Sequence, residues 1–253
     1  MGRKMCRMQK LNGPPSTLSL HKVHIQRKTF YKPVAFETCR MFTTDSLRAA
    51  GNASLASLDS TVSSGEIHVI LGPMFAGKTT ALLERVAQEE AHGLHVTLVK
   101  SCKDSRYSND EIVSHNGTAR HCNPVARLSD LRNTIGDEKW NAIDVIAIDE
   151  AQFIPDLVSF CITAADVHHK KIIVAGLDGD FRRSRFGAVL DLLPLCDSVT
   201  KLTGQCAGCG GRPALFSMRI AVDQTSQELV GGSDLYKPVC RACYVTGEKE
   251  NGK

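Results

Sequence analysis

The feature that most constrains this chain is an eight-residue run, Gly72 to Thr79, reading GPMFAGKT. It fits G-x-x-x-x-G-K-[ST], a loop whose backbone N–H groups cradle phosphate. The apolar run Ile67-His68-Val69-Ile70-Leu71 comes just before it and reads as a buried strand. Leu82, Leu83, Val86 and Ala87 follow at the spacing of one helix face, and Gly93 marks the stop. That context separates a phosphate site from a mere tight turn, because a helix N-terminus offers free N–H groups and a dipole that favours negative charge. Gly72, Pro73, Met74, Phe75, Ala76 and Gly77 then form the cradle. Lys78 supplies a cation to the outer phosphates, and Thr79 offers a hydroxyl to Mg²⁺.

From Gly65 onward the pattern alternates between strand and helix. Strands are expected at 67–71, 95–100, 145–148, 172–175 and 199–202, with helices between most of them, one opened by Pro155. This predicts an α/β fold: a P-loop (RecA-like) parallel sheet with helices on both faces and ligands at the carboxyl ends of the strands. Residues 65–203 make this core. Residues 204–246 differ, being glycine-rich, short-stranded and cysteine-paired, and read as a small zinc-ribbon-like module before a tail at 247–253.

The net charge of +4 matters only once it is located. Residues 1–64 hold 10 Lys/Arg against 3 Asp/Glu, and the remainder holds 21 against 24. The folded part is mildly acidic, which argues against direct nucleic-acid binding. The first 36 residues carry eight Lys/Arg and no acid, with Ser and Thr interspersed. That composition fits an organelle transit peptide, for mitochondrion or plastid; the alternative is a basic tail without an address on a cytoplasmic protein. No apolar run is long enough for a membrane span.

Two further constellations carry chemistry. Val145-Ile146-Ala147-Ile148 leads into Asp149-Glu150, two acids at a strand end. In a phosphate-loop fold the first holds Mg²⁺ and the second faces the reacting phosphate, where a carboxylate can take a proton from an attacking hydroxyl or water. Acids also favour helix starts, so a plain N-cap pair is the alternative. Asp149-Glu150-Ala151-Gln152 also resembles the acid motif of helicases, which opens a second reading, a zinc-containing nucleic-acid-dependent ATPase. The length left after the leader falls short of the two α/β domains that reading needs. The other constellation is Cys206-x-x-Cys209 with Cys240-x-x-Cys243. Four thiolates suit a closed tetrahedral Zn²⁺ of structural type, and the long segment between the pairs is expected to protrude as a loop.

GPMFAGKT, IDEAQF ending at Phe153, GLDGDF from Gly176 to Phe181, Phe186-Gly187, and Val230-Gly231-Gly232 with Tyr236 before Cys240 together resemble cellular-type (type II) thymidine kinases over residues 65–244. The wording GEIHVILGPMFAGKTT is most similar to the plant branch. The resemblance implies phosphoryl transfer from ATP to the 5′-hydroxyl of thymidine. Glu150 is then the general base, with Arg106 neutralising charge on the transferring group. Asp104, Ser105 and Arg106 match a segment near the phosphates, and Asp149 and Gln152 join the ATP and Mg²⁺ group. Met74, Phe153, Leu177, Phe181, Phe186 and Tyr236 match the thymine pocket. Gln227, Glu228, Leu229, Val230 and Gly231 match a lasso-like loop that closes over the base, anchored by zinc. The resemblance further implies a homotetramer and feedback by thymidine triphosphate (dTTP). Three positions differ from relatives: Asn116 stands where they usually carry Asp, the last metal position is Cys243 where some plant relatives have His, and Thr79 stands in place of Ser. A kinase for a different small hydroxyl acceptor is the remaining rival.

Overall fold

Apolar runs that alternate with helices can bury both faces of a sheet only by running parallel. The structure, a computed structural model, builds this arrangement; it describes residues 64–104, 110–113, 117–221 and 225–251. The leader 1–63, Ser105, Arg106 and Asn116 lie outside the described residues. Six strands form the main sheet: β1 (Glu66–Gly72), β2 (Val96–Ser101), β5 (Asn123–Val125), β6 (Val145–Asp149), β7 (Lys171–Leu177) and β8 (Ser198–Lys201). Their order is β5-β2-β6-β7-β1-β8, and every pairing is parallel. All five expected strands are present. The sixth, β5, contains Pro124, which lacks an N–H and is tolerated because β5 is an edge strand. A short antiparallel pair, β3 (Glu111–Val113) and β4 (Ala119–His121), lies beyond β2 in the chain.

Side-chain alternation divides the core between the two faces. Ile67, Val69 and Leu71 of β1 join one cluster, which also holds Leu157 and Cys161 of helix α4 (Leu157–Ile162). Ile70 joins the other, with Leu82, Leu83 and Val86 of helix α1 (Lys78–Ala91). Helix α1 corrects one expectation: Ala87 is exposed, and the buried position is Glu89. Its carboxylate pairs with Arg85 at 3.0 Å and Lys171 at 3.1 Å, so a charged residue occupies an inner position that a periodicity count assigns to an apolar one. Gly93, at φ +82°, ends the helical segment as expected.

Helix α4 begins at Leu157, two residues later than Pro155 suggests. Asp156 has a non-helical backbone, and its carboxylate accepts N–H bonds from Leu128 (2.9 Å) and Ser129 (3.0 Å) of a neighbouring turn. The chain from β2 to β6 carries two short helices, α2 (Leu131–Ile135) and α3 (Asp137–Ala142).

The C-terminal part contains two small antiparallel pairs, β9 (Gly204–Gln205) with β10 (Pro213–Ala214) and β11 (Phe216–Arg219) with β12 (Tyr236–Val239), then helix α5 (Arg241–Asn251). A third apolar cluster joins Cys206, Ala214, Met218, Val239, Cys240 and Tyr244. The segment between the cysteine pairs therefore carries three short strands, β10, β11 and β12, and its longest interval without a strand among the described residues lies between β11 and β12. Among the described residues no helix is long and apolar enough to cross a membrane.

Candidate active site

The parallel sheet brings the carboxyl ends of β1, β6 and β7 together, and the phosphate-loop residues, the acid pair and Leu177 all sit at those ends. Strand β7 pairs with both β1 and β6, so it separates the loop strand from the acid strand, as in a RecA-like sheet. Gly77 adopts φ +81°, a left-handed conformation that glycine reaches without steric cost, and α1 starts at the next residue. The Lys78 ammonium donates to Pro73 O at 2.8 Å, across its own loop. The Thr79 hydroxyl donates to Asp149 Oδ2 at 2.9 Å, which brings together the two oxygens that sequence reasoning assigned to one cation.

Asp149 is buried. Its carboxyl is pushed up to about 6, first by burial and then by the charge of Glu150, against the pull of the Thr79 hydroxyl, the Glu150 N–H and Lys78. A divalent cation fits this donor set: a hydroxyl beside a buried carboxylate is the oxygen environment Mg²⁺ takes at a phosphate loop.

Glu150 is half-buried, with φ 49° and ψ 41°. A left-handed backbone at a non-glycine residue costs roughly 1–3 kcal/mol and concentrates at working sites. Its carboxylate accepts a hydrogen bond from Gln152 Nε2, and Gln152 Oε1 accepts the Leu177 N–H at 3.1 Å. Gln152 therefore orients Glu150 and ties it to β7, in addition to lining the cavity. Gly187 belongs to the same construction. A Cβ there would lie 2.1 Å from Gln152 O, so the Phe186-Gly187 pair lets the chain pass directly over the turn that carries the acid.

Lys78, Thr79, Asp149 and Glu150 line one cavity of about 170 Å³. The same wall has an aromatic and apolar part: Met74, Phe153, Leu177, Phe181, Phe186 and Tyr236. Phe153 and Phe186 meet edge to face at 5.4 Å. Gln227, Leu229, Val230 and Gly231 contribute a wall, as do Phe75, Gly77, Gln152 and Asp104. Four expected residues are not in the wall. Gly72 packs against Leu202 O, Pro73 and Ala76 hold the loop's own turn, and Glu228 pairs with Lys103 at 3.1 Å on the surface.

Several wall residues escaped sequence reasoning. Ser217 accepts the Met74 N–H at 2.9 Å and so ties the phosphate loop to β11. Lys100 is buried in the wall and donates to Glu111 O. Asp180 accepts the N–H groups of Arg182 and Ser184 on one oxygen and Gln227 Nε2 on the other. None of these lies in a contiguous motif of recognisable chemistry, apart from Asp180 within GLDGDF.

The four cysteines converge. Cys206, Cys209, Cys240 and Cys243 have sulfurs all within 4.8 Å of one another, and Cys209 and Cys240 are 3.9 Å apart. A tetrahedral Zn²⁺ about 2.3 Å from each sulfur sets thiolates about 3.8 Å apart, so the geometry fits. The Cys240 N–H points at Cys206 Sγ at 3.2 Å, and a Cβ at Gly208 would lie 2.9 Å from Cys243 Sγ. Backbone donors and a bare glycine leave room for a metal cradle and for little else.

A family model described as thymidine kinase matches residues 65–244. A thymidine kinase of Oryza sativa subsp. japonica is 54% identical over 185 residues, covering 73% of this chain and 68% of the relative. Thymidine kinase a of Arabidopsis thaliana is 50% identical over 183 residues, 72% of this chain and 76% of the relative. The cytosolic thymidine kinase of Homo sapiens is 41% identical over 180 residues, 71% and 73%. Among solved structures, domain III of the Thermotoga maritima replication initiation protein DnaA aligns with TM-score 0.32 and 18% identity over 55% of each chain, too weak a likeness to carry an argument.

Proposed function

We propose a division of labour within the cleft of this chain, which belongs to the thymidine kinase family. The chain transfers the terminal phosphoryl group of ATP to the 5′-hydroxyl of thymidine, the salvage step that supplies thymidylate for DNA synthesis. The observation that carries the assignment of roles is one cavity whose wall holds both the phosphate-loop Lys78 and Thr79 with the acid pair and a set of aromatic and apolar side chains suited to a flat base. Glu150 stands in the chain between Asp149 of the first set and Phe153 of the second.

In this reading the loop amides and Lys78 hold the ATP phosphates. Thr79 and Asp149 would hold Mg²⁺, which would supply charge neutralisation to the phosphates. Glu150, oriented by Gln152, accepts the proton of the 5′-hydroxyl as that oxygen attacks. Phosphoryl transfer passes through a loose transition state, so catalysis here is chiefly placement and charge compensation. The family resemblance supports Arg106, with Asp104 and Ser105, as the group that neutralises the transferring phosphoryl. Phe153, Phe186, Phe181 and Tyr236 bury the thymine ring, and residues 227–231 close over it. Residues 204–246 act as a lid module on the 65–203 core, held together by Zn²⁺ on the four cysteines. Homotetramer assembly and feedback by dTTP follow from the same resemblance. The basic leader supports import into an organelle.

Transfer of labelled γ-phosphate from ATP across the natural deoxynucleosides tests the reading. Thymidine is expected to be the preferred acceptor. ATP hydrolysis that responds to single-stranded DNA or RNA and not to thymidine overturns it.

A further inference from the structure

Between β11 and β12 the chain lays residues 225–231 along the cavity without regular secondary structure. Such a stretch has no ladder to hold its carbonyls, yet each carbonyl from Thr225 to Leu229 accepts a side-chain donor. Arg182 donates to Thr225 O at 2.7 Å. Arg219 donates to Ser226 O and, at 3.0 Å, to Gln227 O. The Ser226 hydroxyl donates to Glu228 O at 2.6 Å, and the Tyr236 hydroxyl donates to Leu229 O at 2.8 Å.

Arg219 is the hub of this set. It is 2% exposed, the largest fully buried side chain among the described residues, and it is not part of the cavity wall. Its guanidinium lies 3.8 Å from the centre of the Phe181 ring and donates twice to the Tyr236 hydroxyl, at 2.7 and 3.1 Å. Arg182 also lies over Phe181, at 4.8 Å. Burying a charge costs several kcal/mol unless its donors are met, and a guanidinium fork meets several acceptors at once. A hairpin needs no such charge for its own stability. The acceptors here are instead the backbone of the base-closing segment and the hydroxyl of a wall residue.

We propose that Arg219 is the positioning residue of the base-binding end: by holding the carbonyls of Ser226 and Gln227, and the Tyr236 hydroxyl that holds Leu229, it fixes the segment over the nucleoside without touching the nucleoside. This rests on the thymidine kinase reading and adds a determinant of substrate affinity to it. With five successive carbonyls turned to side-chain donors, the segment's shape is set before a base arrives, so ordering entropy is not lost on binding.

The test is steady-state kinetics of the full chain with thymidine and ATP varied separately, on wild type, Arg219→Lys, Tyr236→Phe and the double variant, with zinc content and melting temperature measured alongside. Arg219→Lys keeps the charge and loses the fork. It is expected to raise the thymidine KM about 10- to 100-fold, the loss of one or two charge-assisted hydrogen bonds. The ATP KM and kcat are expected to stay within about threefold, a split that general loosening of the fold does not produce. The double variant is expected to be less impaired than the product of the two single effects, since both cut one network. An unchanged thymidine KM in zinc-loaded Arg219→Lys overturns the proposal, as does a matching fall in ATP affinity. If Arg219→Lys does not fold, Tyr236→Phe decides: a thymidine KM raised with the ATP KM unmoved supports the hub, and no change overturns it. A wild type that does not phosphorylate thymidine sinks the underlying reading, whereas an active wild type with an unaffected variant sinks only this proposal.

Discussion

The two ends of the cleft are made in opposite ways. The phosphate end comes from one unbroken loop and the tips of central strands β1, β6 and β7, whose residues are mostly buried. The base end takes Met74 and Phe153 from beside the loop and the acid pair, and the rest from three separated stretches, 177–187, 216–219 and 227–236; the last two belong to a small unit with a core of only a few side chains. A sheet core this large stabilises its own loops. A cluster of six buried residues does little to offset the chain entropy of its module, and the four-cysteine site is placed to take over that task. If the two ends take ATP and thymidine as proposed, affinity for each rests largely on its own support and can be altered one at a time.

The sharpest way to break this contrast is at the junction. Glu150→Gln keeps the shape and the Gln152 neighbour but removes the base. Turnover is expected to fall by about 10²–10⁴, with ATP and thymidine binding retained by calorimetry. Near wild-type turnover would take proton transfer away from Glu150. A smaller effect sharpens the contrast. Cys240→Ser, or treatment with a zinc chelator, is expected to raise the thymidine KM by on the order of tenfold while the ATP KM moves less than about twofold, because the metal supports only one end. Equal loss at both ends would show that the module and the sheet form one cooperative structure.

The smallest effect serves as a control from the amino-terminal end of the strands, opposite the cleft. Burial works to raise the Glu89 pKa, but Lys171 and Arg85 outweigh it and hold it below the ordinary glutamate value. The folded state thus favours the carboxylate. Its contribution is present above the unfolded value of about 4.3 and is lost as pH falls through the folded one. Glu89→Gln is expected to flatten that acid limb of the stability curve and to cost on the order of 1 kcal/mol at neutral pH. Both KM values should be unchanged; a shift in either would mean that strain crosses the sheet.

The same contrast decides what could be read from the chain. Lys78, Thr79 and the acid pair were legible because their chemistry is contiguous and their flanks carry a strong hydrophobic period. The cysteines were legible from spacing alone. Strand β5 was not, since Pro124 argues against a strand wherever edge position is unknown. The Glu89 substitution for an apolar face residue was hidden because its partner Lys171 lies far along the chain. Arg219 was hidden most deeply. In a sequence it is one more basic residue after Met218, and its meaning arises only when Phe181, Tyr236 and the 225–229 backbone close around it. The resemblance to a family supplied the aromatic pocket, which residue type alone would have assigned to ordinary core.

The left-handed backbone of Glu150 bears on any attempt to harden this protein. A glycine or asparagine would sit at that torsion more comfortably, by roughly 1 kcal/mol or more. A library ranked by melting curve alone would therefore promote replacements at the position proposed to take the proton, and on that proposal would return sturdier, inert molecules. Selection for robustness has to be gated by turnover at every round.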